Sequence, residues 1–298
     1  MIITDYKNIT FSTVIALGFF DGVHKGHSSI INTAKELAGE NTKSLIYTLD
    51  THPSLLFGSP VPMITSQDER MDLLKSYSTD YIFLQKTDRD FLNLPPETFV
   101  KDILINKLRA THIISGENYT FGRNKSGSFK LLKKICEEEH INYTIVPFST
   151  HNDNIISSTL IRQNILSGNV NDAAKMLGRP FSVYGKVVRC RNVGKTLGFP
   201  TANIIPDTNL VLPKEGVYAT NTVIDKTSYK SITNVGKAPT FNENKVVIET
   251  FILDFTGDIY SENIKVEFID YLRGQVKFDS PEKLSEQLSN DVLIRRKI

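Results

Sequence analysis

Apolar positions in the first half of the chain come in short bursts separated by stretches of helical pattern. STVIALGFF (12–20), KSLIYTL (43–49), DYIFLQ (80–85), THIISG (111–116) and NYTIVPF (142–148) have strand length and β-branched or aromatic content. Between them, SSIINTAKELAG (28–39), MITSQDERMDLLKSY (63–77), PPETFVKDILINKL (95–108) and FKLLKKICEEEH (129–140) read as helices. Thr65 or Ser66 opens the second of these, with acids in its first turn, and prolines begin the third, where a missing N–H matters little. Strand, helix, strand at this rhythm predicts a parallel sheet covered by helices, with right-handed crossovers. Ligands of such sheets bind beyond the carboxyl ends of the strands, so the loops 18–27, 50–53 and 116–122 should share one rim.

The pattern changes near residue 180. LIRQNILSGNVNDAAKMLG (160–178) predicts two short helices, ended by Arg179-Pro180. Beyond it stand FSVYGKVV, GVYATNTVI, YKSITNVG, KVVIETFILDF and NIKVEFID, β-branched runs divided by Gly and Pro, as in an all-β barrel. One amphipathic helix, SPEKLSEQLSNDVL (280–293), closes the chain. The expected organisation is an α/β domain over 1–180 and a mainly β domain over 181–298.

Composition narrows the class. With 298 residues, 40% hydrophobic and 23% charged, the chain can bury two ordinary cores. Lys plus Arg number 35 against 33 acids, so no broad basic field marks nucleic acid as a partner. Cys136 and Cys190 lie far apart in no metal-ligand spacing, which fits a reducing compartment. The apolar run Val14–Phe20 is too short for a membrane span, and no basic signal start precedes it. A soluble cytoplasmic protein is expected, without a membrane partner; the oligomeric state is not encoded legibly.

Candidate chemistry begins in GFFDGVHKGH (18–27). Gly18 and Gly22 flank Phe19, Phe20 and Asp21 at the end of the first strand, and His24 and His27 follow, around Gly26. Three-residue spacing puts both imidazoles on one face, Gly26 admits an anion close to the backbone, and the helix start favours phosphate. Two surface histidines in a Gly-rich turn are the plainer alternative. In ISSTLIR (156–162), Ser158 and Thr159 can cap a helix while offering hydroxyls, and Arg162 brings a fork suited to phosphate oxygens. In GENYTFG (116–122), Tyr119 and Phe121 either offer a face to a flat ring or simply pack the loop, and Asn118 offers a donor–acceptor edge.

VGKTLGFPTAN (193–203) has the ending of a phosphate-binding P-loop. The first glycine of that motif should fall at 189, which is Arg189, and Gly198 and Pro200 follow too soon for a helix. The P-loop reading fails. In KVVIETFILDF, alternation puts Glu249 on one strand face with Val247, Phe251 and Leu253, a costly position unless the acid is partnered, on an edge, or used.

Taken together, these stretches resemble the prokaryotic bifunctional riboflavin kinase/FAD synthetases, over nearly the whole chain. The His-x-Gly-His loop, ISSTLIR and GENYTFG are similar to the FMN-adenylylating nucleotidyltransferase domain, Tyr119 standing where Phe is commoner. Asp50, His52 and Pro53 match an Asp-x-His-Pro element of the same family. GKTLGFPTAN, NVGKAPTF, GVYAT, DFTGDIY and VKFDSPEKL are similar to riboflavin kinase, with Arg189-Cys190 replacing a commoner His-Gly. The resemblance implies a Rossmann-like N-terminal sheet and a six-stranded C-terminal barrel with its closing helix. It implies that Gly18, Phe20, Asp21, Gly26, Ser158 and Thr159 bind ATP for adenylyl transfer, with His24, His27 and Arg162 catalytic and Asn118, Tyr119 and Phe121 at the flavin. In the kinase half it implies ATP at Gly194, Lys195, Gly198 and Pro200, Mg²⁺ at Thr201 and Asn203, and Glu249 as catalytic base. The substrates implied are riboflavin, FMN and ATP. Two rivals remain at this point: an adenylyltransferase with a silent kinase half, and a non-catalytic flavin-binding regulator.

Overall fold

The computed structural model describes residues 1–58, 60–189, 198–237 and 246–298. They form two compact units, Met1–Ser158 and Thr159–Ile298.

The first unit is built on six parallel strands: β1 (Ile2–Ile3), β2 (Ser12–Leu17), β3 (Thr42–Leu49), β4 (Tyr81–Gln85), β5 (Ala110–Gly116) and, after two two-residue strands, β6 (Thr120–Phe121) and β7 (Gly127–Ser128), β8 (Asn142–Val146). Their order is β1-β4-β3-β2-β5-β8. Alternation along each strand makes two cores. Ile15, Leu17, Leu45, Tyr47, Phe83 and Ile113 pack on one face with Phe99–Lys107 and Phe129–Glu138. Val14, Ala16, Ile46, Ile82 and Ile114 face α1 (Lys25–Leu37) and the helix Gln67–Ser76 on the other. This is the predicted parallel sheet covered by helices, Rossmann-like as the resemblance implies. Strand order reverses between β2 and β5, and the crevice at such a reversal is where ligands enter.

Local chemistry fixes the ends. Ser66 caps Gln67–Ser76 by accepting from the N–H of Glu69 at 3.2 Å. Over Phe99–Lys107 the turns are wide, the N–H of Leu108 reaching back to the carbonyl of Ile103. The pattern alone predicts an ordinary helix there; the short β1 also lies outside that reading. Cys136 is buried in the core, its thiol pushed up to about 12 by burial.

In chain order β8 is followed, still within the first unit, by the short strands β9 (Thr150–His151) and β10 (Asn154–Ile155). In the second unit, helices Ser158–Ser167 and Val170–Leu177 lead to the expected six-stranded barrel. It consists of β11 (Phe181–Val188), β12 (Thr201–Ile204), β13 (Gly216–Ile224), β14 (Thr227–Lys237), β15 (Val246–Ile252) and β16 (Asn263–Arg273). Antiparallel pairing closes it in the order β11-β12-β15-β14-β13-β16, leaving no free edge. Val183, Ile204, Tyr218, Val266 and Phe268 fill one part of the interior. Another part is polar: Thr220, Thr222, Ser231, Thr233 and Thr250 are wholly buried and bond one another through their hydroxyls at 2.7–3.3 Å.

The C-terminal helix Pro281–Lys297 is tied to the barrel by two buried charges. Asp291 receives Nε and Nη2 of Arg273 at 3.0 and 2.7 Å and the Gln287 amide at 2.9 Å. Arg295 donates to the carbonyls of Thr220 and Ser231.

Candidate active sites

Leu17 ends β2, and the chain must then turn sharply to enter α1. Phe20 and Val23 take left-handed φ values of 59° and 41°, which non-glycine residues avoid unless held. The carboxylate of Asp21, only 3% exposed, accepts from the N–H of Ile64 at 3.0 Å and of Thr65 at 3.4 Å. The carbonyl of Asp21 in turn accepts from Oγ of Ser158 at 3.1 Å. The two predicted phosphate-loop motifs therefore meet at Asp21 and Ser158.

His24 caps α1, its Nδ1 accepting from the N–H of His27 at 3.3 Å. That bond fixes the proton of a neutral His24 ring on Nε2. The His24 and His27 rings stack 3.5 Å apart, and Phe20 meets His27 edge-on at 5.3 Å. Gly26 leaves the His24 ring room in this stack, since a Cβ there would stand 3.2 Å from Cε1 of His24 and crowd it. Nδ1 of His27 is enclosed and finds no hydrogen-bond partner among the described residues. Burial, then the neighbouring His24, lowers the pKa of His27 well below the usual imidazole value, so this ring is neutral at pH 7.

The other rim loops lie at the strand ends as expected. Asp50 follows β3 and accepts the N–H of Thr87 at 2.9 Å. Nδ1 of His52 caps the short helix Pro53–Leu56, and the ring meets Phe19 edge-on at 4.8 Å. Beyond β5, Asn118 is exposed and Tyr119 half-buried, stacked on Phe121 at 5.7 Å. Phe121 itself is 7% exposed and sits against Phe99 in the core, so the half-buried Tyr119 is the more accessible of the two rings. Thr159 is exposed and Arg162 half-buried on the helix Ser158–Ser167, which continues into the second unit.

Two features of this rim escape a sequence reading. Arg70, 2% exposed, turns inward from Gln67–Ser76 and bonds backbone at the ends of β2 and β3. Leu55, Leu56 and Phe57 are exposed in succession after Pro53, Phe57 at 69%. Arg70 shares the inner face of its helix with Met71 and Leu74, but a charged residue in MITSQDERMDLLKSY carries no apolar mark that would place it there.

In the second unit the strand β12 is the finding that organises the site, because Thr201 and Asn203 then alternate onto one face. Asn203 lies across from Glu249 of β15, and Asn234 of β14 lies across from Glu249 on its other side. Oγ1 of Thr201 donates to Oε1 of Glu249 at 2.7 Å. Glu249 is half-buried with Val247 and Phe251 on its face, as predicted, and its partner is this hydroxyl. Asn203 is 5% exposed. Thr201 also borders a cleft of about 370 Å³, lined with it by Val187, Pro200, Ala202, Ile252, Phe255 and Tyr260. The Arg189 guanidinium lies 4.9 Å over the Tyr260 ring. Gly198 has φ 83°, and a strand, not a helix, follows it, as the rejection of the P-loop requires. Gly194, Lys195 and Cys190 lie outside the described residues. No cluster of acids, histidines and cysteines suited to a metal occurs among the described residues, and no described helix is long and apolar enough to cross a membrane.

Comparison with known proteins accounts for both units. The FAD synthetase family model matches residues 7–160 and the riboflavin kinase family model residues 177–298. The bifunctional riboflavin kinase/FMN adenylyltransferase of Listeria monocytogenes is 32% identical over 93% of this chain and 90% of its own length. The protein of that description from Bacillus subtilis is 32% identical, over 94% and 90%. Its Escherichia coli counterpart is 30% identical, over 95% and 91%. Among solved structures, a macrolide-efflux protein from Streptococcus pneumoniae has a TM-score of 0.90 at 32% identity, covering 100% of this chain and 99% of that one.

Proposed function

The chain belongs to the bifunctional riboflavin kinase/FMN adenylyltransferase family, and from that premise we propose how its residues divide the work of making FMN and FAD. The proposed boundary between the two catalytic domains is near 180, the helices 158–177 forming the passage from one to the other.

In the N-terminal unit, a phosphate oxygen of FMN attacks the α-phosphorus of ATP and pyrophosphate leaves. Charge grows on the bridging and non-bridging oxygens, and donors fixed beforehand stabilise it best. His24 and His27 are assigned that role, with Gly18, Phe20, Asp21 and Gly26 shaping the loop that receives the triphosphate. Ser158, Thr159 and Arg162 are assigned to the nucleotide phosphates through their motif. A neutral His27 donates one hydrogen bond without adding a full buried charge. Asn118, Tyr119 and Phe121 are assigned to the flavin, and the exposed Leu55–Phe57 stretch offers the same rim more apolar surface for its ring system.

In the C-terminal unit, the ribityl 5′-hydroxyl attacks the γ-phosphorus, ADP leaves, and Glu249 takes the proton. The contact between Thr201 and Glu249 carries this assignment: it joins the base to the residue expected at the metal. A hydroxyl, an amide oxygen and a carboxylate side by side on two paired strands are hard oxygen donors that fit Mg²⁺, and Thr201 and Asn203 would hold it. When bound, the ion would neutralise phosphate charge during transfer. Gly194, Lys195, Gly198 and Pro200 are assigned to ATP, with the neighbouring cleft as its lodging.

The test is turnover of riboflavin with Mg-ATP followed by chromatographic separation of the flavins. FMN should form first and FAD follow; FAD formed only from supplied FMN would mean a silent kinase half. Absence of both products would sink the reading.

A further inference from the structure

Arg70 occupies a position that packing alone would give to an aliphatic residue. Its neighbours on the inner face of Gln67–Ser76 are Met71 and Leu74, both in the core. Burying a guanidinium is costly unless every donor finds an acceptor. Here Nη1 donates to the carbonyl of Phe19 at 2.5 Å and to Oγ1 of Thr48 at 3.0 Å. Nη2 donates to the carbonyl of Leu49 at 2.7 Å and to Oε1 of Gln67 at 2.5 Å, with the Asp50 carbonyl at 3.4 Å. Cζ of Arg70 lies 4.1 Å from the Phe19 ring centroid. Burial lowers its pKa to about 10, which leaves it charged at neutral pH.

The backbone acceptors belong to the carboxyl ends of β2 and β3, beside the reversal of strand order. The Phe19 carbonyl precedes Phe20, whose backbone is left-handed and whose ring meets His27. The helix carrying Arg70 starts beside Thr65, and the N–H groups of Ile64 and Thr65 hold Asp21 from the other side. One element thus grips the loop before and after its strained residue. A planar fork suits two carbonyls at once; an ammonium does not.

We propose that Arg70 is a positioning residue of the adenylyl-transfer site, fixing the Phe19 carbonyl and through it the Phe20 ring and the His24–His27 stack where the triphosphate must be received. The inference rests on the N-terminal unit being the FMN adenylyltransferase. It makes contact with the reaction only through the loop, so it predicts loss of rate more than loss of binding.

FAD formation from supplied FMN and ATP, and FMN formation from riboflavin, are measured on the full chain for the parent, Arg70→Lys and Arg70→Ala, each with a thermal melt. In Arg70→Ala, kcat for FAD should fall about 100-fold with KM for ATP within about threefold, and millimolar guanidinium should restore part of it. Arg70→Lys should fall in between, and FMN formation should hold in both. A parental kcat in Arg70→Lys overturns the proposal, even where Arg70→Ala fails to fold. So does a loss in Arg70→Ala that guanidinium does not relieve and that only tracks lost melting of the N-terminal unit. A parent unable to make FAD would sink the adenylyltransferase reading itself, whereas an active parent with unimpaired variants sinks only the role of Arg70.

Discussion

Thr201 and Glu249 stand on adjacent antiparallel strands of the barrel and share a hydrogen bond of 2.7 Å. Thr201 is opposite Phe251 in the register, so the bond runs diagonally across the ladder and draws the carboxylate toward the Pro200 turn. Each residue limits what the other can do: while this bond stands, the Thr201 hydroxyl directs its proton to the Glu249 carboxylate.

Glu249→Gln should therefore abolish FMN formation, by about 100-fold or more, because the amide cannot accept the hydroxyl proton. FAD formation from supplied FMN should continue at the parental rate. Separate initial-rate assays with riboflavin and with FMN check both halves of the expectation.

His27 supplies a pH dependence whose sign is fixed. Its folded pKa lies below the unfolded value of about 6.5, so below that pH the unfolded chain binds a proton the folded one refuses. The stability it contributes is present above the unfolded pKa and falls as pH drops from about 6.5 toward the folded pKa. Melting temperatures measured from pH 7.5 to 5.5 should decline more for the parent than for His27→Gln.

Gly26→Ala separates stability from activity. Its φ is not in the left-handed region, so alanine suits the helix and should favour it by up to about 1 kcal/mol. The new Cβ would lie 3.2 Å from the His24 ring and push it off His27. Melting should hold or rise while FAD formation falls about tenfold, the penalty of displaced catalytic groups. Undiminished FAD formation would mean that the stack has no part in transfer.

Asp291→Ala should destabilise the barrel by about 3 kcal/mol, since it removes a buried acid and strands the Arg273 guanidinium and the Gln287 amide. Denaturant titration of the full chain would register it as an early transition, with FMN formation lost before FAD formation.

Most of the architecture was legible because period and composition agree. The five predicted strands of the sheet show their short apolar, β-branched runs openly, and the closing helix has its serine cap before Pro281. The strand order was not legible, because pairing partners are chosen by surfaces far apart in sequence. Thr201–Ile204 hid because a four-residue strand beginning Thr-Ala-Asn has no apolar alternation to show. The His24–His27 pair and Glu249 were legible from spacing and from an acid on an apolar face. Arg70 was not: in isolation a helix arginine reads as a solvated surface charge, and only the buried carbonyls of Phe19 and Leu49 reveal otherwise.

The ring of hydroxyls formed by Thr220, Thr222, Ser231, Thr233 and Thr250 has a thermodynamic corollary. Melting that end of the barrel hydrates polar groups, which subtract from the heat-capacity increment that exposed hydrocarbon adds. Calorimetry should accordingly find a broad, shallow stability curve for this half, one that changes little on cooling.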